Sequence, residues 1–502
     1  MSDKPQMNGG GESSGGIVPT KQPKEDLGRS NEAAEGRPPA KENMGKSNSY
    51  RTPSRISEPS GLDRVRQAAK QDGKMRFTAL LHHVTVELLE RSYLSLKRQA
   101  AAGVDGVTWE EYGEGLAGRL IDLHGRIHRG AYQAQPSRRV WIPKADGRQR
   151  PLGIAALEDK IVQHAVGTVL HQIWEEDFLG FSYGFRPGRS QHDALDALYA
   201  GITRKKVDWI IDLDIRSFFD TIGHDWMVKF VEHRIGDRRI VRLIQKWLKA
   251  GVMEDGKWQE SKEGTPQGSV ISPILANLYL HYVLDVWAQA WRKKAARGEM
   301  IIVRYADDAV LGFQGRQDAE RFLEQLRERV RKFGLELHPD KTRLIEFGRY
   351  AADRRNQRGE GKPETFTFLG FTHIGGTNKA GKFIVKRQTI GKRMAAKLKD
   401  IRQRLQRRMH ETRGNTVKAL RLVVRGYFQY HAVPGNEKRL QSFRNDVLRL
   451  WLRQLRRRSQ RSSWSWERFQ ERLAVLIPRV EVLHPYPDVR FDATIRGGNR
   501  VR

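Results

Sequence analysis

A chain of 502 residues can bury several cores, and with 91 Lys+Arg against 59 Asp+Glu it carries a formal charge of +32. That charge is lopsided, with nine basic and eight acidic side chains over residues 1–60 against 28 and nine over residues 391–502, so a polyanionic partner is expected, nucleic acid first. The absence of cysteine excludes disulfides, thiolate zinc sites and a cysteine nucleophile, and no apolar run approaches the 18 residues of a membrane span.

Residues 1–60 hold eight Gly, nine Ser, seven Pro and a single aromatic, Tyr50, too little apolar surface to offset the entropy of ordering, and are expected to be a disordered tail. The opening residues lack an apolar signal-peptide core, so an intracellular chain is expected. From Leu62 the spacing turns helical through residue 100, with Leu80, Leu81, Val84, Leu88, Leu89 and Tyr93 in helical register. Gly103–Val107 is a turn, and 108–129 a second amphipathic helix. Arg139–Pro143 and Arg150–Ile154 predict a hairpin around the Lys144–Gly147 turn. Helices are predicted at 157–175 and 190–204, a short strand at Trp209–Ile215, helices at 225–250 and 270–295, and a hairpin of Met300–Tyr305 with Ala309–Phe313. A helix at 316–334, strands near 343–347, 366–373 and 383–386, and strongly basic helices over 390–458 follow. Hairpins mixed with helices between 135 and 386 point to an α+β, palm-like sheet rather than a doubly wound one.

Carboxylates interrupt two of these apolar runs. Strand alternation places Asp212 and Asp214 on one face, with Leu213 and Ile215 on the other, and Asp307-Asp308 joins two strand runs 93 residues after Asp214. Adjacent carboxylates between apolar strands repel one another unless a cation compensates them. Two strands presenting carboxylates to one point make an oxygen-rich site suited to Mg²⁺, completed by phosphates and water. A pair of such ions activates a 3′-hydroxyl and stabilises a pyrophosphate leaving group. Alone, the Asp-Asp dipeptide is more often a solvated hairpin turn.

The surrounding residues reverse that balance. Tyr305-Ala306-Asp307-Asp308 resembles the YxDD box of reverse transcriptases, Asp214-Ile215-Arg216-Ser217-Phe218-Phe219-Asp220 their first catalytic box, and Thr265-Pro266-Gln267-Gly268-Ser269 their PQG box, all in the family's order. Arg150-Pro151-Leu152-Gly153-Ile154 and Tyr183-Gly184-Phe185-Arg186-Pro187-Gly188-Arg189-Ser190 look like signatures of group II intron-encoded proteins, and the resemblance covers roughly residues 62–485. It implies a right-hand polymerase: fingers and palm with an antiparallel sheet, followed by an all-α thumb and domain X. It further implies an RNA-directed DNA polymerase that is also a maturase, binding its intron RNA to promote splicing and copying it into DNA during retrohoming.

By the same resemblance Asp214, Asp307 and Asp308 are catalytic, with Asp214, Asp307 and the carbonyl of Ile215 holding two Mg²⁺ ions. Lys144 and Arg150 would grip the triphosphate of the incoming dNTP, and Gln267 and Gly268 would line its pocket. Phe219, five residues after Asp214, matches a steric gate whose ring clashes with a 2′-hydroxyl. Lys341 matches a lysine that protonates the leaving pyrophosphate, and Phe368-Leu369-Gly370-Phe371 resembles a primer grip.

The implied domains are a tail at 1–60, fingers and palm at 61–385, a helical thumb and domain X at 386–458, and a basic C-terminal tail region at 459–502. Gly426-Tyr427-Phe428-Gln429-Tyr430 resembles the motif of domain X, and Arg456, Arg457 and Arg458 are expected RNA contacts. The expected partners are the intron RNA, an RNA template–primer duplex, target DNA and dNTPs, with no membrane, in the bacterial cytosol and at the nucleoid when bound to target. Many members end in an HNH endonuclease carrying cysteine pairs, which a chain without cysteine is not expected to have. A splicing-only RNA-binding cofactor, or a domesticated relative serving defence or DNA repair, is the alternative; the intact aspartates argue against the first.

Overall fold

The computed structural model describes residues 61–143, 149–265, 268–458 and 464–496; the expected tail at 1–60 lies outside the described residues. The chain opens with α1 (Gly61–Gln71), α2 (Val86–Ser95), α3 (Trp109–Gly113) and α4 (Leu116–His128). The helix expected over 62–100 is therefore two helices. Phe77 is drawn away to bridge Ile235, its N–H donating to the Arg234 carbonyl, and Thr85 starts a new helix by accepting the Leu88 N–H. The helix expected over 108–129 is likewise split, at Gly115, whose φ of +69° no continuing helix tolerates.

Next come β1 (Ser137–Pro143), β2 (Gln149–Ile154), α5 (Leu157–Asp177), α6 (Gln191–Arg204), β3 (Trp209–Leu213), α7 (His224–Arg234), α8 (Arg238–Lys249), β4 (Val252–Glu254) and β5 (Lys257–Gln259). The single helix expected over 225–250 is interrupted by Asp237, whose buried carboxylate accepts the N–H groups of Leu80, Leu81 and Arg239. Then follow α9 (Ser272–Leu280), a π turn at His281–Asp285, α10 (Val286–Lys294), β6 (Met300–Tyr305), β7 (Asp308–Phe313), α11 (Arg316–Lys332), β8 (Arg343–Glu346) and α12 (Ala351–Gln357). The strand expected at 366–373 is instead a hairpin, β9 (Phe366–Phe368) and β10 (Phe371–Thr377), beside β11 (Phe383–Thr389). It turns at Leu369-Gly370, where φ values of +46° and +83° give a tight two-residue hairpin. The chain closes with α13 (Gly391–Arg407), α14 (Arg413–His431), α15 (Glu437–Arg457), α16 (Trp466–Arg472) and α17 (Pro487–Arg496).

The central sheet runs β6-β7-β3-β8, every pair antiparallel. Side-chain alternation sorts it onto two cores. Ile211, Leu213, Met300, Ile302, Ala309 and Leu311 face the first, with α5 and α9; Ile210, Ile301, Val303 and Val310 face the second, with α6 and the β9–β11 sheet. A third core is helical: Ile401, Leu420, Val424, Phe443 and Trp451, closed by Phe469 and Ile477. The segment expected as a basic tail is thus folded where described. From it α17 docks on α6, Arg204 binding Asp488 and Asp492 at 3.0 and 2.7 Å. No helix among the described residues is long and apolar enough to cross a membrane.

Candidate active site

β3 ends at Leu213, and the loop before β8 holds the next residue in place. The Asp214 carbonyl accepts the His338 N–H at 2.8 Å and the Thr342 hydroxyl at 3.1 Å, while Ile215 bridges Leu337. On the neighbouring strand the chain reverses in two residues, Ala306-Asp307, with Tyr305 opposite Asp308 and Ala306 at φ +56°. Leu213 lies opposite Ala309, so the register carries Asp214 to the level of Asp308. Residues whose positions differ by 94 in sequence, Asp214 and Asp308, therefore meet at one end of the central sheet.

The electrostatics are those of crowded carboxylates. Loss of solvent holds Asp308 well above the usual carboxylate range, and the charges of Asp212, Asp307 and Asp214 add to the shift, with Arg393 opposing it. Burial pushes Asp212 up to about 6, against the Arg343 guanidinium 3.3 Å away. Lys341 reaches the half-exposed Asp214 carboxylate, Nζ to Oδ2, at 3.0 Å. Among the described residues no three His, Asp or Glu side chains already form a metal shell. The donor set nevertheless fits a hard divalent cation: oxygen ligands only, mutual repulsion, and an ammonium standing where positive charge is needed.

The other expected residues fall as follows. Phe218 is buried and Phe219 half-buried, ring centroids 5.4 Å apart, on a single 3₁₀ turn entered through Ser217 at φ +47°. Arg150 lies on β2 opposite Ile142. Lys144 and Gln267 lie outside the described residues. Gly268, at φ +111°, packs so close to β2 that a Cβ there would come within 2.7 Å of the Gly153 carbonyl, which joins the PQG box to the hairpin. Of the three arginines at the end of α15, Arg456 donates to the Trp464 carbonyl at 2.9 Å and Arg458 to the carbonyls of Met409 and Glu411, leaving Arg457 exposed. Arg186 is a buried scaffold tie, paired with Glu175 at 2.7 Å.

Two contributors escape a reading of the sequence, and a third, Tyr430, lies in the domain X motif but without the role that follows. Arg393, from the first turn of α13, bears on Asp308 from beyond the sheet. Tyr430 on α14 donates to the Leu369 carbonyl at 2.7 Å and stacks on Phe371, tying the β9–β10 turn to the helical part. Gln163 on α5 accepts from the Ser269 hydroxyl and the Val270 N–H at 2.7 and 3.0 Å, anchoring the chain after Gly268.

The family described as reverse transcriptase (RNA-dependent DNA polymerase) matches residues 142–373, a span that contains every one of these carboxylates. The chain is similar to Protein YkfC of Escherichia coli (strain K12), 36% identical over 338 residues, 58% of this chain and 87% of that one. It is also similar to the group II intron-encoded protein LtrA of Lactococcus lactis subsp. cremoris, 30% identical over 308 residues, 58% of this chain but only 50% of LtrA. A 91 kDa protein in the cob intron of Schizosaccharomyces pombe is 41% identical over 170 residues, 33% of this chain and 21% of that protein.

Proposed function

The chain belongs to the group II intron-encoded reverse transcriptases and is an RNA-directed DNA polymerase, and from that premise we propose that Asp214, Asp307 and Asp308 carry its chemistry by in-line nucleotidyl transfer. The observation behind this is the meeting of carboxylates from two adjacent strands, with Asp308 pushed well above its ordinary range. In the reaction the primer 3′-hydroxyl loses its proton, its oxygen bonds to the α-phosphorus of the dNTP, and the bond to the bridging oxygen breaks to release pyrophosphate. Asp214, Asp307 and the Ile215 carbonyl would hold two Mg²⁺ ions, which would supply acidification of that hydroxyl and neutralisation of the leaving group.

The chain's own groups do the rest. Asp308 supports the site electrostatically. Lys341 leaves Asp214 as the site fills, and its Nζ hands a proton to the departing pyrophosphate. Arg150 and Lys144 bind the triphosphate, Gln267 and Gly268 line the nucleotide pocket, and the Phe219 ring beneath the sugar excludes a 2′-hydroxyl. On this reading residues 61–385 are fingers and palm, 386–458 thumb and domain X, and 459–502 a basic C-terminal region whose Phe469, Ala474 and Ile477 pack into the helical core. The intron-encoded relatives support a maturase role as well: binding the intron RNA, promoting its splicing and copying it into DNA at a target site.

Primer extension on an RNA template tests the site. Asp307→Asn is expected to lower kcat by on the order of 10²–10³-fold or more while the template–primer Kd holds; extension at the wild-type rate would remove Asp307 from the chemistry.

A further inference from the structure

We propose that Arg304 is a positioning residue for the Tyr305–Asp308 turn, the centre of a buried strut that Asn277 and Gly184 complete. This rests on the reading of Asp307 and Asp308 as catalytic. Arg304 has no solvent exposure, and strand alternation points it away from the face that carries Asp308. It therefore sits under the turn and touches neither substrate nor cation.

Every arm of its fork is directed. Nε and Nη2 donate to the two oxygens of Asp285 at 2.7 and 2.5 Å, and Asp285 is as buried as Arg304. Nη1 donates both to the Asn277 Oδ1, at 3.0 Å, and to the carbonyl of Ala306, at 2.8 Å. Asn277 passes the connection on, its Nδ2 donating to the Gly184 carbonyl at 2.6 Å. Gly184 in turn lies against the turn itself: a Cβ there would come within 2.3 Å of the Ala306 nitrogen. The backbone between is laced as well, Tyr183 N–H to the Arg304 carbonyl at 2.8 Å. Arginine, asparagine, glycine and turn thus form a closed ring.

Two features set this apart from ordinary core filling. A buried ion pair adds little net stability over an apolar pair of the same volume, so stability alone does not explain a fully enclosed guanidinium. Ala306, however, is held at φ +56°, a conformation unfavourable for a residue with a Cβ, and the Arg304 guanidinium donates to its carbonyl from beneath the turn. The π turn at His281–Asp285 serves the same end. At 3.6 residues per turn, eight residues would leave Asp285 about 80° around the helix from Asn277. The extra residue of a π turn brings it back to within about 20°, so both reach the same guanidinium. Because Asn277 lies on the helix that follows the PQG box, the strut ties the nucleotide-pocket segment to the catalytic turn.

Asn277→Ala and Gly184→Ala test this with the Arg304–Asp285 pair left intact, and Arg304→Lys keeps the charge but removes the fork. Each is measured for kcat and dNTP KM in primer extension, template–primer Kd, melting temperature, and Mn²⁺ binding by loss of the free-ion electron paramagnetic resonance signal. The strut predicts kcat per folded molecule lower by on the order of 10- to 100-fold and weaker Mn²⁺ binding, with KM and Kd close to wild type; melting temperature falls in Gly184→Ala and Arg304→Lys and least in Asn277→Ala. Wild-type kcat and Mn²⁺ binding in folded Asn277→Ala and Gly184→Ala overturn it, as does a loss of kcat that only follows the loss of folded protein. Asp307→Asn run alongside separates the two levels. If it is inactive while the strut variants are wild type, the strut alone fails; if it is active, the catalytic reading fails.

Discussion

His373 on β10 lies wholly inside the second core, its ring stacked on Phe366 at 4.8 Å between centroids and 6° between planes. Burial lowers its pKa to about 3, and the Arg387 charge pushes the same way. The folded imidazole is therefore neutral where the unfolded one, with a pKa near 6.5, takes up a proton. The unfolded state binds more protons, so this residue's stabilisation is complete above about pH 6.5 and drains away as the pH falls towards 3. One pH unit below the unfolded value corresponds to about 1.4 kcal/mol. His373→Phe keeps the stacking and removes the titration. Denaturant melts at a pH about one unit above and one unit below 6.5 should show the stability gap between them shrinking by about 1.4 kcal/mol, and an unchanged gap would assign the slope elsewhere. At this scale the sequence was informative where chemistry is local. Asp214, Asp307 and Asp308 stand out because carboxylates break apolar strands, whereas Arg304 looks like any strand arginine until its partners, 19 and 27 residues away, are placed around it.

Among the elements, the β9–β10 hairpin shows what a linear pattern hides. Phe366–Phe371 is rich in aromatic and apolar residues and suggests one strand, yet Leu369 at φ +46° and Gly370 at +83° fold it back on itself. The turn stays in place because Tyr430 of α14 donates to the Leu369 carbonyl at 2.7 Å. Tyr430→Phe leaves that carbonyl without its donor and should lower unfolding free energy by about 1 kcal/mol while preserving the ring stacking on Phe371. A change within error would make the stacking alone the tie. The breaks in the helices expected over 62–100 and 225–250 share a cause: Phe77 and Asp237 bind each other's segments, and a contact 160 positions away leaves no trace in local periodicity. The helices α5, α6 and α11 were legible because their apolar positions recur at helical spacing over many residues, and the hairpins and strands β1, β2, β3, β6 and β7 because short apolar runs are bounded by turn residues or carboxylates.

Over the whole molecule the positive charge divides into cations that hold the chain together and cations left for a partner. Arg456 and Arg458 already satisfy backbone carbonyls, and Arg444 donates to those of Ala474, Ile477 and Pro478. Arg457 is exposed at the same helix end. Neutralising Arg457 should therefore reduce the slope of log K against log salt for RNA binding by about 1 at constant melting temperature, while Arg458→Gln should lower the melting temperature first. Equal salt slopes for wild type and Arg457→Gln would place the RNA elsewhere. Composition showed how much charge there is; only the folded chain shows how much of it is already engaged.

The order of the central sheet has a kinetic corollary. β3 is sandwiched between β7 and β8, so Asp212 meets Val310 on one side and Arg343 on the other, partners that arrive only after about a hundred further residues of chain. Closing such loops costs entropy before any pairing rewards it, and topologies of this kind assemble late. The carboxylates consequently come together only once the chain through β7 is present, and a chain that stops short of Asp307 lacks the proposed site.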